Sequence, residues 1–236
     1  MTVTLYGWGP MFGVPGPSPF VLKSELQLQL LRVDFARKLA DLESVKKHKA
    51  PYVQDGGRLV QDSTFIRAHF EEKSGRDLDA GLSSAQRALA WSLERLLEDR
   101  LALINAHERW LEEDNFERGP MQFFRDVPEA MRGQVMKGAV EGIRAWHYGH
   151  GIGRHSRQER MWLAERDIAA VARALGDQPF MFGSQPTAVD GATFGVLVSC
   201  TSPIFSSRLP ELVQKHDNLV NYLQRIEQRY FPTDRW

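Results

Sequence analysis

The sequence predicts two parts in series: a small α/β unit over residues 1–76 and an all-α unit over residues 83–236. Three observations predict it. Runs rich in β-branched and aromatic residues, bounded by Gly and Pro, stop before Arg76. Apolar residues then recur at helical spacing through the rest of the chain. Between the two lies "RDLDAGL", Arg76 to Leu82, with the composition of a linker.

The elements follow in order. Thr2 to Trp8 reads as a strand. Gly9 to Pro17 holds three Gly and three Pro, so it is a loop. Ser18 then Pro19 reads as an N-cap followed by Pro at the first helical position, and Leu22, Leu26, Leu30 and Val33 share one helical face. Val33 to Leu39 is a candidate second strand. Pro51 to Gln61 reads as a hairpin around Asp55-Gly56-Gly57. Asp62-Ser63 opens a helix with Ile66 and Phe70 on one side, and Gly75 is placed to stop it.

The second part opens on a capping box, Ser83-x-x-Gln86, leading a long helix with Leu89, Leu93, Leu96, Leu97 and Ile104 in one stripe. Pro128 starts another helix that reaches about His147, and Gly149 to Gly153 break it. Ser156-x-x-Glu159 is a second box, leading to a stop at Gly176. Thr187-x-x-Asp190 starts a helix with little polar face, predicted to be buried. The last helix runs from about Asn218 to Tyr230.

Composition narrows the function. The 236 residues are 42% hydrophobic and 25% charged, with 30 basic and 30 acidic side chains and no net charge. No global field draws the chain to nucleic acid or an anionic membrane. No apolar run approaches the roughly 18 residues of a membrane span, and the N-terminus lacks a signal peptide's pattern. A cytoplasmic protein is the expectation. Cys200 is the single cysteine, so an internal disulfide and a Cys-based zinc site are both excluded. His147, His150 and His155 lie close together but lack completing ligands, so no metal site is predicted. Gly149-x-Gly151-x-Gly153 follows a helix rather than a strand and reads as a helix-ending turn, not a dinucleotide fingerprint.

Ser18-Pro19-Phe20-Val21 has the layout of a redox Cys-x-x-Cys site with neither cysteine. A hydroxyl there is unsuited to disulfide exchange. It suits the activation of another molecule's thiol, whose ordinary pKa is about 8.5. The same serine also serves as a plain N-cap, and both readings stand. Asp62 and Ser63, at a helix N-terminus, form an anion site or simply a cap. Tyr6 and Trp8 are further candidates to line the site. Trp110, Phe116, Phe123, Phe124, Trp146 and Tyr148 are candidates to wall an apolar pocket.

Four segments together resemble the glutathione transferase family: "SPFVLKSELQLQL", "KAPYVQDGGRLVQDS", "FMFGSQPTAVDGATFGVL" and "HDNLVNYLQRIEQRYF". The long Gly/Pro loop, "GRHSRQE" and "GDQPFMFGSQPT" resemble its metaxin and failed-axon-connections branch, bacterial members included. The resemblance implies a thioredoxin-like N-terminal domain followed by an all-α substrate domain. It implies glutathione as co-substrate and a small-molecule electrophile as partner. It implies that Pro51 is cis, that Ala50 pairs its backbone with the tripeptide, that Asp62 and Ser63 hold the γ-glutamyl end, that Trp8 lines the site and that Ser18 donates to the thiolate. A homodimer is the assembly the resemblance suggests, though no self-complementary patch is legible. The alternative it carries is a non-catalytic binding or scaffold protein of the same fold, as metaxins are.

Overall fold

The computed structural model describes residues 2–232. Four strands, β1 (Val3–Gly7), β2 (Phe35–Leu39), β3 (Tyr52–Asp55) and β4 (Arg58–Gln61), form one sheet in the order β2-β1-β3-β4. β1 runs parallel to β2 and antiparallel to β3, and Val53 faces Val60 across the β3–β4 hairpin. Two helices, α1 (Pro19–Leu30) and α2 (Ser63–Ser74), complete the predicted β-α-β…β-β-α order. Val3, Leu5, Val53, Val60, Ile66 and Phe70 close a small core with Leu28 of α1 and Leu31 at its C-cap.

α1 ends earlier than the apolar period suggests. Arg32 takes a left-handed φ of 57°, and Val33 and Arg32 donate back to Leu28 and Gln29. That is a Schellman ending with Arg where Gly is usual, so composition carried no stop signal. Val33 therefore lies beyond the helix.

The rest is helical: α3 (Ser84–Leu96), α4 (Ala102–Trp110), α5 (Glu113–Arg118), α6 (Glu129–His150), α7 (Arg157–Leu175), α8 (Ala188–Cys200), α9 (Leu209–Gln214) and α10 (Asp217–Tyr230). All three capping boxes form, at Ser83, Ser156 and Thr187. α3 runs into α4 through a π-helical turn, Leu97–Leu101. Leu93, Leu97 and Ile104 of the predicted stripe are buried in one core across this turn, and only Leu89, in the first half of α3, falls outside it. Leu89 is 46% exposed while Ile104 is in the core. α6 runs on to His150, where Gly151 at φ 105° closes it. The short α5 and α9 have too few turns to show a period.

α1 is the joint between the two parts. Leu22 and Leu26 enter the large helical core, whereas Leu28 and Leu31 face the sheet. α8 packs directly on α1, and Gly195 is what admits it: a Cβ there would lie 2.3 Å from the Pro19 carbonyl oxygen. The polar residues of α1 are buried by this docking and find partners across it. The Gln27 amide donates to Ala188 O at 2.8 Å, and Lys23, 1% exposed, donates to Glu98 at 2.5 Å. Glu94 lies 3.8 Å from the same ammonium and 3.7 Å from Arg67 of α2. Burial pushes the Glu94 carboxyl above its usual range, against the pull of Lys23. Asp190 of α8 is equally internal, receiving N–H bonds from Met181 and Thr187 and an O–H bond from Tyr222. It ties helices together and faces no cleft. No helix among the described residues is long and apolar enough to cross a membrane.

Candidate active site

Cis-Pro51 and the α2 N-terminus meet at one cleft. The Ala50–Pro51 bond is cis. Asp62, at φ 87°, caps α2 by accepting from Thr64 N at 3.0 Å. A side-chain-bearing residue held at positive φ is the kind of local strain that clusters at functional sites. Ser63 follows at 4% exposure. Ala50, Pro51, Asp62 and Ser63 all line a cleft of about 670 Å³, whose opposite wall is Ile143, Trp146 and His150 of α6. The π-helical turn contributes Glu98 and Asp99, and the last turn of α3 contributes Arg95. Such turns recur at functional sites because they re-aim side chains.

The first turn of α1 reaches this cleft through Phe20; neither Ser18 nor Trp8 is in its lining. Ser18 is the N-cap of α1 and accepts from Val21 N at a long 3.4 Å. No acceptor for its own O–H is found among the described residues. Trp8 instead meets Phe123 edge-on at 5.7 Å, and Phe123 stacks on Trp110 at 6.0 Å. Phe116 and Phe124 complete that cluster, so four of the six predicted wall aromatics pack on one another. Trp146, 53% exposed, is the one in the cleft. Tyr148 lies under the Arg154 guanidinium at 4.8 Å. Tyr6 stacks on Tyr52 at 4.6 Å. The Gly9–Pro17 loop does not line the cleft either: Phe12 and Val14 are buried in the large helical core.

Sequence reasoning did not single out Phe20, Lys49, Arg95, Glu98 or His150 as cleft residues. For Lys49 and Phe20, adjacency to Ala50 and Ser18 was the available signal. For the others there was none, because only the packing of α3, the π turn and α6 against the sheet domain brings them in.

The "GRHSRQE" segment is a structural tie. The Arg157 guanidinium donates to Glu108 at 2.9 Å and to Ser206 O at 2.7 Å, and Arg160 donates to Glu112 at 3.1 Å. A Cβ at Gly153 would lie 2.8 Å from the His147 carbonyl carbon, so the turn needs glycine. His107, Glu108 and Glu112 bring ligand-type atoms within 4.8 Å of one another. Both carboxylates are already bound by arginines, whose charges oppose a cation. His147 is buried between the carbonyls of Ile143 and Leu103 and, unlike His150, is not itself in the cleft's lining.

This cluster has a pH consequence. Burial, helped by Arg160 and His147, pulls the His107 imidazole down to about 4 from 6.5. Its folded pKa lies below the unfolded one, so the unfolded chain binds the extra proton between those values. Stability is therefore full above pH 6.5 and is lost as pH falls toward 4, by as much as about 2–3 kcal/mol from this group. Thermal unfolding of His107→Gln should depend less steeply on pH than wild type across that window. Parallel curves would refute the assignment.

The glutathione S-transferase N-terminal domain model matches residues 19–115, and the C-terminal domain model matches residues 164–226. The isoprene-epoxide–glutathione S-transferase of Rhodococcus sp. (strain AD45) is 30% identical, over 97% of this chain and 99% of that protein. This chain belongs to the glutathione S-transferase family. Within the wider glutathione S-transferase relationship it also resembles Drosophila melanogaster Failed axon connections, 26% identical over 93% of this chain and 56% of that protein. Human metaxin-2 is 25% identical over 78% and 70%. The crystal structure of beta-etherase LigF from Sphingobium sp. strain SYK-6 superposes with a TM-score of 0.70 at 15% identity, covering 97% of this chain and 96% of that one. The glutathione S-transferase fold thus extends through both the sheet and the helical part.

Proposed function

We propose that this protein is a glutathione transferase that conjugates the glutathione thiol to an apolar electrophile. The observation that carries the reading is the single cleft shared by Ala50, cis-Pro51, Asp62, Ser63 and Trp146. The free backbone edge beside a cis-Pro accepts an extended peptide as an added strand. Ser63, at the α2 N-terminus, offers N–H groups and a hydroxyl to the γ-glutamyl carboxylate, and Asp62 offers its carboxylate to the ammonium. Lys49, beside Ala50, gives the other end of the tripeptide a cation. A solved Pseudomonas fluorescens family member of the same fold (TM-score 0.63, 16% identity, covering 97% of this chain and 89% of that one) has two glutathione molecules bound, which supports glutathione as the ligand.

The electrophile then enters against Ile143 and Trp146 of α6. Similarity to an isoprene-epoxide transferase favours an epoxide as substrate class. In that reaction the thiolate sulfur attacks a ring carbon, the C–O bond breaks, and the alkoxide takes a proton from water. Ser18 acts at the sulfur, donating its uncommitted O–H to the thiolate.

A second reading, a binding protein of the same fold, is favoured by one observation: Ser18 is absent from the cleft's lining. It predicts glutathione binding without turnover.

Calorimetric titration of glutathione tests both. Wild type is expected to bind at sub-millimolar affinity, and Ser63→Ala to weaken it about tenfold, the value of one charge-assisted hydrogen bond. No heat at several millimolar glutathione would end the transferase reading. Binding without conjugation of any epoxide would select the second.

A further inference from the structure

Arg109, in the last turn of α4, is 4% exposed. Among the described residues it is the buried cation whose hydrogen bonds reach no carboxylate. Its guanidinium donates to Pro17 O at 2.9 Å and to Ser199 O at 2.5 Å. It also lies over the rings of Phe205 and Phe12, at 5.0 and 5.8 Å. Burying a charge without a counter-ion is costly. Burial pulls Arg109 down to about 10, so it stays charged at neutral pH.

Its two partners explain its position. Ser199 is in the last turn of α8, whose end carries roughly half a negative charge and has no basic residue of its own. Pro17 O belongs to the peptide group that ends at the Ser18 nitrogen, so Arg109 grips the backbone at the N-cap of α1. The same loop is held again upstream, where the Ser202 hydroxyl donates to Phe12 O at 2.6 Å. The other ionisable groups nearby leave the guanidinium uncompensated. Burial pushes the Cys200 thiol up to about 12, so it is neutral, and Lys23 is committed to Glu98.

We propose that Arg109 is a positioning residue for the thiol site: it fixes the peptide that aims Ser18 and leaves net positive charge behind the first turn of α1. The inference rests on the transferase reading for its purpose, but its test does not need glutathione.

The probe is the thiol installed by Ser18→Cys in a Cys200→Ser chain, which then carries no other thiol. Its alkylation by iodoacetamide is followed against pH. Removing the charge with Arg109→Met, or neutralising it in place with Cys200→Asp, should raise the midpoint by about half a pH unit or more. Arg109→Lys keeps the charge and should keep the midpoint. With Ser18 restored, Arg109→Lys should lower kcat several-fold at unchanged glutathione KM, since one ammonium cannot reproduce the two-carbonyl fork. Unchanged midpoints in a folded Arg109→Met or Cys200→Asp chain overturn the proposal. So does failure of both these chains and Arg109→Lys to fold, which would make the residue a folding element only. A wild type that ignores glutathione while the midpoint still shifts would sink the transferase reading and leave this one standing.

Discussion

Lys23→Met is expected to lower the free energy of unfolding by about 3 kcal/mol or more, the cost of removing one partner from a buried ion pair. Lys23 comes from α1 and its partners Glu98 and Glu94 from the helical part, so the loss falls on the joint between the two. Arg95, 2.6 Å from Glu98, remains as its partner when Lys23 is lost, which keeps the cost toward the low end. The double variant Lys23→Met/Glu98→Met should recover part of it, because Glu98 is no longer left without its ammonium while Glu94 keeps Arg67 and Arg95, and Arg95 keeps Asp99. Urea unfolding measures both. Equal midpoints for wild type and Lys23→Met would show that Arg95 and Arg67 alone satisfy the two glutamates. Glu98 also lines the cleft, so the single variant should weaken glutathione binding as well.

Ser18→Ala is expected to lower kcat about 100-fold near neutral pH while changing glutathione affinity less than threefold. Removing one donor from a developing or resident anion typically costs that much. The thiol's pKa should rise by about one to two units, since a lost donor of roughly 1.4–2.7 kcal/mol no longer favours the thiolate. The activity deficit should therefore shrink as pH is raised toward 9. Stability should fall by no more than about 1 kcal/mol, because the cap bond to Val21 is long and the helix keeps Pro19 at its first position. Activity that does not respond to Ser18→Ala at any pH would place thiol activation elsewhere and leave the serine as a cap.

Much of the fold was legible because its signals are short-range. Ser18-Pro19, the boxes at Ser83, Ser156 and Thr187, and the turn at Gly56 each act through backbone groups within about four residues. Half of the candidate site was legible for the same reason: Asp62 and Ser63 announce a helix N-terminus. Where local rules were broken, the reading slipped. Arg32 ends α1 in a conformation that glycine usually takes, and the π turn at Leu97–Leu101 divides into α3 and α4 what reads as one long helix.

The sequence by itself determined the order of the sheet domain's elements, the capped helix starts at Ser18, Asp62, Ser83, Ser156 and Thr187 and the cleft's Ser63 edge, all consequences of backbone chemistry over a few residues, while the cis state of Pro51 came from the family resemblance. Only the tertiary structure decided that Lys23 meets Glu98 across 75 positions and that Arg109 holds Pro17 across 92. It also decided that Trp146, and not the other five aromatics, faces the cleft. Desolvation is the physical reason. A buried charge or ring takes whichever partner docking brings to it, and no spacing along the chain records which helices will dock.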